Sequence, residues 1–343
     1  MNNEILNELI AKKIIPSDDV FDFSGSPFYE EFKDILDFYQ KNLLINSTKY
    51  DIHPCVIYIK NQFGINARAA KIQDYFIISI NMGAIKHLID VFLMNKELIN
   101  EESLKEYQEL ESFLDVPIHV LMHHGAIHFS FYHEMAHLIQ KSDYLTLSIY
   151  EDADHDSQFF ITRHLLEIDA DEFSAINVVA HVVDHAEDTF GDNLNESIMQ
   201  NLIVVLCSSL LLYFLSFQSY KNEPEIYTTK STHPHPCIRI AWIVITIIDY
   251  VNQDLKGRGY DFTLDRKKIG EAMLTFSELI GVKIFGDSTI SYFRKLMEEN
   301  AELISIYLHK ISMLKHNDKS MAVSKWNYLA GEYLKKKGAE DEE

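Results

Sequence analysis

The segment His133-Glu134-Met135-Ala136-His137 carries two imidazoles four positions apart, with a carboxylate directly after the first. On a helix, positions i and i+4 lie one turn apart on one face. Both rings would then converge on one point, the spacing that a tetrahedral zinc ion accepts. Glu134 would sit beside the metal without binding it, placed to take a proton from zinc-bound water. The flanking Phe129, Phe131, Leu138 and Ile139 are apolar, as expected for a buried catalytic helix. The pattern alone is loose. The chain holds 16 histidines, enough for a chance match, and His119, His123, His124 and His128 upstream read as packing or surface residues.

Two further segments supply what the pair lacks. Zinc held by two histidines needs a third protein ligand and keeps its fourth position for water. Glu167-Ile168-Asp169-Ala170-Asp171 presents two carboxylates at i and i+4. Glu167 can be the third ligand, and Asp171 can accept a hydrogen bond from the distal nitrogen of a zinc histidine. An exposed acidic helix face is the alternative, but Leu165, Leu166, Ile168, Ala170 and Phe173 make the stretch too apolar for one. Ser231-Thr232-His233-Pro234-His235-Pro236 contains two X-Pro steps, which hold a backbone extended. His233 could donate to the oxyanion of a tetrahedral intermediate, and Arg239 could brace the acidic cluster. Read alone, the same loop is an ordinary helix connector.

These groups need a scaffold. Residues 1–50 pattern as two amphipathic helices around a turn-rich stretch, Pro16 to Pro27, the second helix running from Tyr29 to Leu44. Val56–Ile59 and Tyr75–Ile80 are β-branched and aromatic runs, hence strands. Residues 64–74 would connect them or form a partly extended edge, and Asn81 could cap a helix through Phe92. Helices are predicted over about 103–114, 118–141, 157–187, 195–219, 236–254, 268–279 and 286–312. The fold class is therefore α+β, predominantly α-helical. Leu202–Phe217 is nearly all apolar, but it contains Ser208 and Ser209 and is shorter than the roughly 20 residues of a span. It reads as a buried core helix. The loop with Glu151, Asp152, Asp154 and Asp156 lacks the placed glycine and distal glutamate of a calcium loop and reads as solvated.

The formal net charge is -21, which repels phosphate backbones and anionic lipid, so neither nucleic acid nor a membrane surface is an expected partner. Cys55, Cys207 and Cys237 are an odd set without Cys-x-x-Cys spacing, and no secretory signal is visible. Both point to a reducing compartment and a cytoplasmic location.

Taken together, the motifs resemble those of gluzincin metallopeptidases of the HtpX and CAAX-prenyl-protease type. The matches are His133 to His137, Glu167 to Asp171 as Glu-x-x-Ala-Asp, and Thr232-His233-Pro234 with Arg239 six residues beyond the histidine. Asn66-Ala67, the strand Tyr75–Ile80 and Gly83 resemble the family's Asn-Ala segment and edge strand along the substrate cleft. The resemblance implies a zincin-type catalytic domain with a small β-sheet beside the motif helix. It implies zinc on His133, His137 and Glu167, Glu134 as base, Asp171 and Arg239 behind the ligands, His233 as transition-state donor, and Asn66 and Ala67 at the substrate. The corresponding partition is a helical extension at 1–50, a metallopeptidase core at 51–255, a helical region at 256–333 and a charged, disordered tail at 334–343. Members embedded in membranes carry several spanning helices and this chain has none, so it resembles a soluble relative. Size and domain order also resemble the soluble Lit-type phage-exclusion peptidases.

The expected activity is zinc-dependent endopeptidase action on an intracellular protein or peptide. The substrate would add to the strand Tyr75–Ile80 as an extended chain, and an activating protein partner fits the same reading. Two rivals stay open. One is a non-catalytic zinc-binding sensor or interaction protein, its site closed by His233 or His235. The other is a helical interaction protein that binds no metal.

Overall fold

A computed structural model of the chain describes residues 2–140, 157–216, 225–229, 231–286, 289–317 and Trp326. The acidic loop at 151–156 and the tail at 334–343 lie outside them. The fold is α+β and predominantly helical, with one mixed three-stranded sheet. It divides into two compact units, 1–87 with 130–156 and 318–343, and 88–129 with 157–317.

The first unit holds α1 (Asn2–Ala11), α2 (Tyr29–Lys49), β1 (Cys55–Lys60), β2 (Ala67–Ile72) and β3 (Tyr75–Asn81). Strand order is β1-β3-β2, with β1 parallel to β3 and β2 antiparallel to it. Val56 to Ile59 and Phe76 to Asn81 are buried without alternation, the signature of strands covered on both faces. Leu9 and Ile15 pack on Val56, Tyr58 and Ile77, so α1 covers part of the sheet. In α2, Phe32, Ile35, Tyr39 and Leu43 recur at one-turn spacing and are buried together. The N-terminal helices thus share a core with the sheet.

Tyr75–Ile80 is not an edge. β3 pairs on both sides, Val56 opposite Ile77 in one ladder and Ala67 opposite Ile80 in the other. A substrate strand cannot add there because its backbone groups are already used. The outer side of β1 is partly covered as well, since Phe21 N–H donates to Ile59 and Asn61 N–H donates to Asp19. Among the described residues, the open edge is β2. Behind the sheet, α3 (Met82–Leu88) begins under a tight crossing. A Cβ on Gly83 would stand 2.0 Å from the Phe63 carbonyl oxygen, a position only glycine can fill. Asn81 closes the same crossing by donating its side-chain amide to Gly64 at 3.0 Å.

The second unit is helical. It contains α4 (Lys105–Glu111), the first half of α5 (Ile118–Gln140), α6 (Ser157–Phe190), α7 (Glu196–Ser216) and α8 (Pro236–Gly257). It continues with α9 (Arg266–Phe285), α10 (Thr289–Glu299) and α11 (Ala301–Asn317). The helix expected over 286–312 is two, parted at Asn300, whose side chain turns back to the Leu296 carbonyl at 2.9 Å. α7 is the single described helix long and apolar enough to cross a membrane, and 83% of that stretch is buried inside the protein. Its hydroxyls find protein partners, Ser208 on Met273 and Ser209 on Leu206. It is built as a core helix. From α11, Lys315 reaches back to the fully buried Asp169 at 3.3 Å and to Glu172 at 2.6 Å on α6.

His123 is buried on α5, and among the described residues neither ring nitrogen has a hydrogen-bond partner. Burial, with smaller repulsion from His124 and His119, holds its pKa down at about 3. The unfolded chain takes up a proton near 6.5 that the folded site refuses. Stability contributed by the neutral ring is therefore complete above about 6.5 and is lost as pH falls toward 3. Denaturant titrations should show unfolding free energy dropping on the acid side, and His123→Leu should flatten that drop. Equal acid slopes in the two proteins would refute the assignment.

Candidate metal centre

On α5 the helix does what the spacing demands. His133 and His137 stand with Nε2 atoms 3.1 Å apart and ring planes at 90°. Two nitrogens on one tetrahedral zinc, at ~2.0–2.1 Å each, would be about 3.3 Å apart. The pair is close to that geometry. Tyr39 of α2 stacks on Phe131 at 4.8 Å, and Tyr132 reaches Asn42, so aromatic packing fixes the helix just before the histidines. Glu134 is buried beside them.

The distal nitrogen of His137 is held by a residue the sequence reading passed over. Nδ1 lies 2.9 Å from the amide oxygen of Gln140, itself 1% exposed. A carbonyl oxygen only accepts, so Nδ1 carries the hydrogen and Nε2 presents its lone pair. Asp171 was expected to orient a zinc histidine; for His137 that role falls to Gln140. The sequence sign was a buried amide one turn after the second histidine.

Asp171 has another strong partner. Arg239, at the start of α8, donates Nε and Nη2 to its two carboxylate oxygens at 2.8 and 2.6 Å. The guanidinium lies 4.6 Å from the centre of the Phe214 ring and 3.7 Å from Glu167 Oε2. Burial alone would weaken its charge, but the Asp171 pair, aided by Glu167, outweighs that and pushes its pKa up. Glu167 is therefore a buried carboxylate steered by a fixed cation one helix away. One ligand atom from each of His133, His137 and Glu167 lies within 4.8 Å of the others. This group could hold a metal ion. Two imidazole nitrogens and one carboxylate oxygen suit zinc or a similar transition metal better than magnesium or calcium.

His233 enters from the loop before α8, half exposed, with Nε2 3.5 Å from Glu167 Oε1. Thr232 Oγ1 lies 3.1 Å from its other ring nitrogen. His235 is different. It is fully buried, caps α8 by accepting from Cys237 N–H at 3.1 Å, and precedes Pro236 at the first helical position. The loop is also anchored from α6, where His164 lies 2.7 Å from the Ser231 carbonyl and 2.6 Å from the Tyr307 hydroxyl of α11. Burial keeps His164 neutral by lowering its pKa. Nε2 must donate to the carbonyl, so Nδ1 accepts from Tyr307. His164 sits one turn before Glu167, a sequence sign, whereas Tyr307 gave none. Asn66 and Ala67 lie at the start of the edge strand β2, where Asn66 Oδ1 accepts from Ala67 N–H at 3.0 Å.

Comparison with protein-family models, curated proteins and solved structures found no match.

Replacing Gln140 with leucine should free the His137 ring and weaken zinc binding by about 10–100-fold. Chelator competition measures this; an unchanged affinity would remove Gln140 from the site.

Proposed function

We propose that this chain is a zinc-dependent endopeptidase of the gluzincin type, acting on a protein or peptide substrate in a reducing, cytoplasmic setting. The observation that carries the reading is the convergence of His133, His137 and Glu167 with Glu134 next to the first ligand. A purely structural site has no use for that carboxylate. The three free thiols, two of them buried, fit a reducing compartment.

Zinc bound by these three side chains would supply a Lewis acid that polarises a carbonyl and acidifies water. Glu134 accepts the proton of the attacking water as the new C–O bond forms, then delivers it to the amine as the C–N bond breaks. His233 donates a hydrogen bond to the carbonyl oxygen as it gains charge. Arg239 and Asp171 position Glu167, and Gln140 positions His137. An extended substrate pairs with β2, where Asn66 and Ala67 begin the open edge.

Glu134→Gln should keep its zinc and lose about 10²–10⁴-fold in peptide cleavage. Elemental analysis, peptide assays and mapping of new N-termini in cells expressing each form provide the readouts. Wild-type rates in a zinc-loaded variant would sink the mechanism. The proximity of His233 to Glu167 favours one rival, a non-catalytic site closed by a fourth protein ligand. His233→Ala separates the two. The peptidase keeps its metal and slows by about 10²–10³-fold; the closed site loses its metal, and its wild type cleaves nothing.

A further inference from the structure

A second set of histidines gathers in the helical unit. His124 and His128 are one turn apart on α5, and His181 and His185 are one turn apart on α6. All four line one cavity of about 280 Å³, walled by apolar side chains such as Val182, Leu202 and Leu206. His124 and His181 are exposed at its mouth, while His128 and His185 are half-buried. The cavity is open to solvent and can be loaded from it.

The rings are spaced for a shared ligand. His124 and His128 have centroids 5.7 Å apart with planes only 10° apart, and His128 and His181 are 6.1 Å apart at 67°. With metal–nitrogen bonds of ~2.0–2.1 Å, two imidazoles on one ion place their centroids about 5–6 Å apart. The ring nitrogens of these histidines do not already converge as the ligand atoms of His133, His137 and Glu167 do, so an ion bound here requires the rings to turn about their side-chain torsions. Desolvation, reinforced for His124 and His128 by neighbouring imidazoles, lowers the pKa of His124, His128 and His181, so their nitrogens hold lone pairs at neutral pH. Asp115 lies 3.5 Å from His185 Nε2 at the rim of the same cavity.

This is a different site from the one on the same helix. His124 and His133 are nine residues apart, as are His128 and His137, which is two and a half turns and about 13 Å along the axis. The two pairs project from opposite faces of α5, so no ion can serve both.

We propose that His124, His128, His181 and His185 form a second metal site for a late first-row divalent cation, tying α5 to α6. Nitrogen donors without oxygen ligands select zinc, nickel or copper over magnesium and calcium. In sequence, the upstream histidines read as packing or surface residues; His181 and His185 lie some fifty residues further on.

The test uses zinc as probe on the full chain, with zinc per chain measured after removal of free metal. His133→Gln with His137→Gln should still retain one zinc. Adding His124→Gln with His181→Gln, both at exposed positions, should remove it. Deleting one helix's pair, either His124 with His128 or His181 with His185, should also abolish this equivalent, because one ion needs both. Circular dichroism confirms that each variant is folded. The proposal is overturned if the His133/His137 variant binds no zinc, or if removing one pair leaves binding intact and so exposes two independent weak sites. Neither outcome bears on peptidase activity, which is read separately through Glu134.

Discussion

Arg239 brings a positive charge to the start of α8 and surrounds it with the face of Phe214, both oxygens of Asp171 and the edge of Glu167. A buried guanidinium is tolerable only when its donors are used and its charge is matched. The bidentate pair with Asp171 does both, and it leaves one side of the cation for Glu167. The carboxylate expected to bind metal is thereby held in a longer ion pair than the one Asp171 makes with the same guanidinium. Glu167 at 3.7 Å feels the charge at longer range than Asp171 at 2.6 Å. A shorter contact would compete with a metal ion for the same oxygen. Removing the guanidinium would leave two buried carboxylates on one helix turn without their counter-ion, so the fold and the site share this dependence.

The loop that carries His233 is fixed by a second polar chain of the same kind. His164 stays neutral under Ser231 and Tyr307, so the C-terminal helix α11 reaches the loop without contributing a ligand. Lys315, on that helix, pairs with the buried Asp169 and the half-buried Glu172 of α6. α6 therefore presents carboxylates on more than one side, each with its own cation. Among the described residues, Glu167 is the carboxylate grouped with His133 and His137.

What could be read in the sequence follows from range. His133 and His137 needed only helix geometry, and α5 begins at Ile118 as expected and is helical through Gln140, where the described residues stop. Strand β3 was legible as a run of apolar residues, yet its central place was missed although the same run, largely apolar without alternation, already argued for cover on both sides. β2, Ala-Arg-Ala-Ala-Lys-Ile, has too little β-branched or aromatic content to announce a strand and exists because β3 templates it. Gln140 and His164 sat at helical spacing from recognised residues but are not motif members. Tyr307 has no local sign, since its partner lies 143 positions away. Arg239 was legible as a brace through its spacing from His233, but its approach to Phe214 is tertiary.

The three metal-binding candidates therefore differ in how they are prepared. The His133–His137 pair is a property of one helix turn, set by backbone geometry and by Gln140 within the next turn. Glu167 depends on the tertiary contact of α8 with α6 through Arg239 and Asp171. A chain that loses the α6–α8 contact keeps two imidazoles in place and loses the steering of the third ligand. Metal bound by all three must then favour the folded arrangement by mass action, and chelation must weaken it. Affinity at this centre is accordingly a measure of how well the helices around Arg239 are assembled, as well as of the ligands themselves.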